Sequence, residues 1–296
     1  MESIDVDQLF GGFSQQLNKD LSDKLKGDCI FISSAMVAPL DNVFRVSIEA
    51  IQDPKAPQDH LIVVLETNGG FIETVERIVS VMRKHYKEVS FIVPSHAYSA
   101  GTVLVMSGDT IYMDYYSVLG PIDPQFPDEN GNSYLPGAGY LAKFEELMKT
   151  VNADKSSEKK AELAYLIKKF DPAKLFHIEQ SIEHGQSLIA TWLPQYKFKN
   201  WKKTATGGKR VTEKMKEDRA TKIAEILGNA SKWHSHGRGI SMKELEGDDI
   251  KLLTEDFGAD PSLSTMIRNY HGLCADYAAK MGYRNFIHTK HRIRKV

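Results

Sequence analysis

The stretch LIVVLETNGGFIETVERIVSVMRKHYKEVSFIVPSHAYSAGT, residues 61–102, reads as strand, helix, strand and the start of a second helix. LIVVLE is a continuous apolar run, the signature of a parallel strand buried on both faces. The segment after Gly70 then changes period: Ile72, Val75, Val79 and Met82 fall on one helical face. VSFIV is a second buried strand, and AGTVLVM begins a short helix. A strand–crossover–strand unit of this kind implies a parallel sheet packed between helices. The expected class is therefore α/β.

Working outward, CIFIS (29–33) and FRVSIEAI (44–51) are rich in β-branched and aromatic residues and read as strands, and TIYMD and YSVLG as further short ones. Beyond Gln125 the character changes. A Gly- and Pro-containing loop leads into helical patterns through AKFEELMKTV and from about Glu158 to Leu193. A basic stretch, YKFKNWKKTATGGKR, precedes the helix EKMKEDRATKIAEIL, and a Gly-punctuated turn precedes a short helix. A helix from about Ser262 to Met281 ends at Gly282 and leaves a basic tail. The expected organisation is an amphipathic arm over 1–28 and a core over 29–255 with a helical insertion at about 137–230. The last segment, 256–296, carries the C-terminal helix and tail.

Composition excludes several classes. With 42% hydrophobic and 26% charged residues and a net charge of −1, the chain has a sizeable core and no global pull toward nucleic acid or an anionic membrane. No apolar run approaches the ~20 residues of a membrane span. The N-terminus lacks the basic and apolar regions of a secretion signal. Cys29 and Cys274 are too far apart in sequence to suggest a disulfide framework, which favours a reducing compartment. A cytoplasmic protein without metal or cofactor is expected.

Two local features carry chemistry. Asn68-Gly69-Gly70 lies between a strand and a helix, where a hairpin turn does not belong. Bare backbone amides there face the C-terminal edge of a parallel sheet, the usual ligand edge, and can stabilise an oxyanion. Ser99, followed by Ala100 and Gly101, sits at a sharp strand-to-helix turn. Taken alone it reads as a helix N-cap, and AYSAG lacks the first glycine of a G-x-S-x-G elbow. The Gly pair one crossover earlier reverses that reading and makes Ser99 a nucleophile candidate.

In this combination residues 61–125 resemble the serine-peptidase branch of the ClpP/crotonase fold. SHAYSAGTVLVMSGDTIYMDYYSVLGPIDPQ is similar to the nucleophile helix, strand and Gly-containing turn of signal-peptide peptidase A and ClpP. Ser-Ala-Gly-Thr with a downstream LGPIDPQ most resembles the serine dehydrogenase proteinases. The resemblance weakens over about 160–245 and does not reach the first 28 residues or those after about 255. It implies a spiral of parallel strands and helices with added C-terminal helices. It also implies Ser99 as nucleophile, the amides of Gly69 or Gly70 and of Ala100 as oxyanion hole, a peptide or unfolded protein as substrate, and a homo-oligomer.

A serine needs a base, and here the chain departs from ClpP: Gly120-Pro121-Ile122-Asp123 stands where ClpP has its histidine. Relatives with such a turn use a downstream lysine, which leaves Lys143 and Lys149, both in a charged helical segment that reads more readily as a solvated face. His236, in HSHGRGIS, aligns with the histidine of a His-Asp pair in the serine dehydrogenase proteinases, with Gly237 in place of the aspartate. It has a suitable pKa for a base and reads equally as a surface-turn histidine. His234 and His236 lack a third ligand at metal spacing. His96 reads as a turn or wall residue. TGGKR lacks the flanking residues of a phosphate loop, so the basic run around it is a solvated face or partner surface. With no ATPase signature, substrate unfolding would fall to another protein. Two rivals remain: a crotonase-type acyl-CoA enzyme using the same amides for an enolate, and a catalytically silent scaffold.

Overall fold

A computed structural model describes residues 6–127, 134–153, 163–205, 207–233, 235 and 237–296. The strands are β1 (Asp28–Ser33), β2 (His60–Glu66), β3 (Glu88–Ile92), β4 (His96–Ala97), β5 (Thr110–Met113), β6 (Val118–Leu119), β7 (Gln125–Pro127), β8 (Tyr134–Pro136), β9 (Ile240–Ser241), β10 (Glu255–Asp256), β11 (Phe286–Thr289) and β12 (Ile293–Lys295). The helices are α1 (Val6–Leu25), α2 (Leu40–Ile51), α3 (Ile72–His85), α4 (Ala100–Val105), α5 (Gly137–Ala153), α6 (Pro172–Gln195), α7 (Glu213–Leu227), α8 (Ala230–Trp233), α9 (Met242–Glu246) and α10 (Pro261–Met281).

The expected α/β class holds. A seven-stranded sheet runs β10-β5-β3-β2-β1-β11-β12, parallel from β10 to β1 and antiparallel through β11 and β12. Alternation along β1 and β2 explains their unbroken apolar sequences. Ile30, Ile32, Leu61, Val63 and Leu65 pack with residues of α2, α3, α4, α6 and α7. Cys29, Phe31, Ile62 and Val64 pack with α1 and α10. A sheet covered on both faces needs no polar strand residue.

Three readings of the sequence change. FRVSIEAI lies in helix α2, not a strand, because Leu40, Phe44, Ile48 and Ile51 repeat at helical spacing and are all buried. Packing of that face outweighs the β-branched content, since propensity is a weak prior. The long helix expected up to Leu193 has a start at Pro172. Asp171 caps it, its Oδ1 accepting from Ala173 N at 2.9 Å, and proline suits the first helical position. The chain beyond Gly282, read as a basic tail, forms β11 and β12. Phe286 to Thr289 are buried against β1 with Ile32 opposite Ile287, so the C-terminus completes the sheet.

The expected arm is helix α1, whose buried Phe10, Ser14, Asn18 and Leu21 form a helical stripe. Phe10 stacks on Tyr277 at 3.7 Å, and Asn18 Nδ2 donates to Cys29 O and Tyr270 Oη. His288 is buried beside this contact, its Nδ1 2.7 Å from Tyr270 Oη, and burial pushes its pKa down to about 4. An unfolded histidine titrates near 6.5. Between those values the unfolded chain binds a proton that the folded chain refuses, so stability is full above pH ~6.5 and falls as pH drops toward ~4. Urea unfolding of wild type is expected to lose roughly 3 kcal/mol more across that window than His288→Gln does. Parallel pH profiles for the two proteins would exclude this assignment.

Candidate active site

β4 continues the chain beyond the C-terminal end of β3, and Thr67 pairs with Ala97 through Thr67 N to His96 O (3.1 Å) and Tyr98 N to Thr67 O (2.9 Å). The two segments singled out from sequence thus lie side by side. Ser99 ends the second of them at φ 52, ψ −116, a backbone conformation uncommon for a residue with a Cβ. It precedes α4 but does not cap it: its side chain accepts no bond from the helix amides. The N-cap alternative therefore does not describe Ser99. Its side chain is half-buried and uncommitted among the described residues.

Small residues make this turn possible. A Cβ on Gly101 would overlap Thr67 Cγ2, and one on Gly120 would come 2.6 Å from Tyr98 Cδ1 and 3.1 Å from Ser99 N. The turn at 120–123 therefore presses directly on the serine's backbone. Thr102 ties the pieces together. Its buried Oγ1 lies 2.8 Å from both Ala97 O and Gly120 O and accepts from Gly120 N at 2.9 Å. Thr102→Val keeps the shape and strands those groups, so a loss of about 1–3 kcal/mol in denaturant unfolding is expected. Thr102→Ser, which keeps the hydroxyl, should lose only about 1 kcal/mol. Equal losses would mean the hydroxyl is not what holds the turn.

The glycine pair divides its work. Gly69 N donates to Thr67 Oγ1 at 3.0 Å. Gly69 itself lies against the serine, since a Cβ there would be 3.0 Å from Ser99 Cβ and 3.4 Å from Ala100 N. Gly70 pairs with Met36 as a parallel bridge, in which Gly69 O and Phe71 N make the bonds (2.8 and 2.7 Å). That leaves the N–H of Gly70 turned away from Met36. Among the described residues nothing accepts from Gly70 N or Ala100 N. Ala100 follows the half-buried Ser99 and Gly70 follows the Gly69 that lies against it, so two unengaged amides belong to the residues next to this turn, a combination suited to holding an oxyanion as it forms.

The turn has a polar wall beside it, of which His96 is expected from sequence as a turn or wall residue and Glu66 with His271 is not. His96 bonds Asn68 Oδ1 through Nε2 and Ser95 Oγ through Nδ1, both at 3.0 Å, with its ring against Tyr98. Burial lowers the pKa of His96. Glu66, the last residue of β2, meets His271 of α10 at 2.6 Å. Burial alone would raise the Glu66 carboxyl, but the bond and charge of His271 outweigh it and hold it below the usual range. Only the three-dimensional fold brings Glu66 and His271 together.

The candidate bases are placed differently. Lys143 pairs with Glu146 in solvent (Nζ–Oε2 3.0 Å), and Lys149 is exposed on the same helix α5, so neither is desolvated as a lysine base must be. His236, like His234, lies outside the described residues. Its neighbours return to the site: β9 pairs with β6 (Leu119 opposite Ile240), and β6 pairs with β4 (Ala97 opposite Leu119). Among the described residues no cluster of three metal-ligating side chains occurs, and no helix is long and apolar enough to cross a membrane.

Residues 42–148 match the family model of the ClpP-like SDH-type serine proteinases, as the sequence resemblance implied. Two uncharacterized proteins of Methanocaldococcus jannaschii are similar. MJ0137 is 39% identical over 71 residues, 24% of this chain and 25% of that protein. MJ1495 is 28% identical over 146 residues, 47% of this chain and 48% of that protein. The chain thus spans a quarter and about half of the lengths of these relatives. Among solved structures, a serine-to-alanine mutant of the 1510-N membrane-bound stomatin-specific protease overlaps with a TM-score of 0.32 at 18% identity, covering 42% of this chain and 63% of that one. A ClpP1 mutant from Listeria monocytogenes overlaps with a TM-score of 0.27 at 13% identity, covering 33% of this chain and 58% of that one.

Proposed function

We propose that this protein is a serine peptidase that cleaves peptide bonds through an acyl-enzyme on Ser99. The observation that carries the reading is the uncommitted Ser99 hydroxyl against Gly69, with the neighbouring amides of Gly70 and Ala100 left free. In this mechanism Ser99 Oγ attacks the scissile carbonyl carbon while a base takes the hydroxyl proton. The two amides hold the resulting oxyanion, and the C–N bond breaks as the amine leaves with that proton. Water, deprotonated by the same base, then attacks the acyl carbon and releases Ser99.

His236 is the base this reading prefers. Strand β9 stands two strands from β4, and the three residues between His236 and Ile240 are enough chain to bridge such a gap. Lys143 and Lys149 are less well supported because both are solvated. A cytoplasmic location belongs to the same reading, supported by two buried cysteines that stay unbonded. Self-association and a peptide or unfolded-protein substrate follow from the family resemblance.

Labelling with a fluorophosphonate, followed by mass-spectrometric mapping, tests the nucleophile. The expected adduct is on Ser99, and its rate is expected to fall in His236→Ala while Lys143→Ala and Lys149→Ala label normally. An unlabelled Ser99 in folded protein would leave the silent scaffold as the better account. Tight acyl-CoA binding without labelling would favour the crotonase-type enzyme instead.

A further inference from the structure

One side-chain bond continues the tie between the nucleophile strand and the glycine loop after their backbone pairing stops. Thr67 N donates to His96 O (3.1 Å) and Tyr98 N to Thr67 O (2.9 Å), and there the pairing ends. From Gly69 onward the loop is held by Met36 instead, whose N donates to Gly69 O (2.8 Å). Asn68 stands between these two anchors. It is exposed, and its backbone makes no hydrogen bond among the described residues. What holds it is the bond between its Oδ1 and His96 Nε2 (3.0 Å).

His96 is the fixed member of that pair. Its backbone lies in β4, opposite Val118 of β6 and bonded on its other side to Thr67 N. Its ring is 5.0 Å from the Tyr98 ring, and Nδ1 meets Ser95 Oγ at 3.0 Å. An amide oxygen only accepts, so Nε2 carries the ring proton and Nδ1 accepts from the Ser95 hydroxyl. Burial favours this neutral form; of the charged groups that bear on the ring, Glu66 opposes that effect and His271 adds to it. Both nitrogens are engaged, and none is left to take a proton from Ser99. The ring serves geometry rather than proton transfer.

We propose that His96 is a positioning residue of the peptidase site, acting through Asn68 to hold the 68–70 loop, and with it the free N–H of Gly70, in place beside Ser99. This role rests on the peptidase reading above. The lever is short: Asn68 immediately precedes Gly69, where a Cβ would be 3.0 Å from Ser99 Cβ. A rotation of the loop at Asn68 therefore changes the spacing of hydroxyl and amide. An oxyanion donor works by being aimed in advance at the place where charge develops, and a misplacement of about 1 Å can cost ~10²-fold in rate. The loss falls on the maximal rate and not on ground-state binding, because the donor engages the oxyanion only as it forms.

Fluorophosphonate labelling of the full chain over a range of probe concentrations tests the role, with circular dichroism showing each variant folded. His96→Ala is expected to lower the saturating rate of labelling at Ser99 by roughly ten- to a hundredfold and to leave the half-saturating probe concentration unchanged. Asn68→Ala should lower the rate at least as far, and the double variant no further than the slower single one, since both changes break the same bond. Glutamine places an N–H where histidine has Nε2, and asparagine where it has Nδ1. His96→Gln is therefore expected to restore most of the rate, and His96→Asn to label as slowly as His96→Ala. Folded His96→Ala that labels as fast as wild type overturns the role. So do alanine effects that multiply in the double variant, or a His96→Gln as slow as His96→Ala, which would make the ring a proton-transfer group. A folded wild type unlabelled at Ser99 would instead remove the peptidase reading, and this role with it.

Discussion

Ser99→Ala is expected to abolish fluorophosphonate labelling and to lower peptide cleavage by roughly 10⁴-fold or more, while leaving the unfolding midpoint unchanged. The stability half of that expectation follows from the backbone. At φ 52 serine and alanine bear the same Cβ penalty, and the Ser99 hydroxyl forms no bond whose loss would be felt. Ser99→Gly separates the two effects. It removes the nucleophile as completely but relieves a conformation costing about 1–3 kcal/mol, so it should unfold at higher denaturant than wild type. A protein that gains stability by losing its serine carries strain there, and strain of this kind collects where a side chain must be aimed. If Ser99→Ala still cleaves peptides at the wild-type rate, the activity resides elsewhere. If Ser99→Gly is less stable than wild type, the turn is not strained as its angles indicate.

The parts of this site that could be read in the sequence are those held together by short chain separations. LIVVLE and VSFIV declare buried strands because both faces of the sheet are covered, and the switch to a helical period after Gly70 fixes the crossover. Gly69, Gly70 and Ser99 then fall at one sheet edge by topology alone. What failed was set by packing. FRVSIEAI has strand-forming residues, yet its buried positions follow the helical repeat that α2 lays on the sheet. FIHT and IRK become strands because β1 offers an edge for β11 to pair with and β12 follows on, a fact no local pattern contains. The same holds for chemistry. Glu66 meets His271 across 205 residues of chain. The division between Gly69, engaged by Thr67, and Gly70, left free, depends on hydrogen bonds that an Asn-Gly-Gly string does not encode.

That division makes Gly70→Ala the sharpest test of the oxyanion assignment. A Cβ at Gly70, where φ is 151, would overlap Met36 O and lie 2.7 Å from Met36 C and 2.9 Å from Met36 N. All three are backbone atoms, so no side-chain rotation can make room. Either the bridge to Met36 opens, forfeiting the bonds from Met36 N to Gly69 O and from Phe71 N to Met36 O, or the loop at 68–70 moves relative to Ser99. Both displace the free amide. The expected results are a stability loss of about 1–3 kcal/mol and a fall of roughly 10²–10³-fold in cleavage and labelling rates, the usual effect of losing one oxyanion donor. Rates are to be compared where circular dichroism shows the variant folded, so that lost protein is not counted as lost catalysis. Gly207→Ala is the control for positive φ alone: at φ 81 its Cβ meets nothing within 4 Å, Ser99 included. It should cost about 1 kcal/mol and leave the labelling rate as it was. A folded Gly70→Ala that labels as fast as Gly207→Ala would remove Gly70 from the mechanism and leave Ala100 as the donor to test.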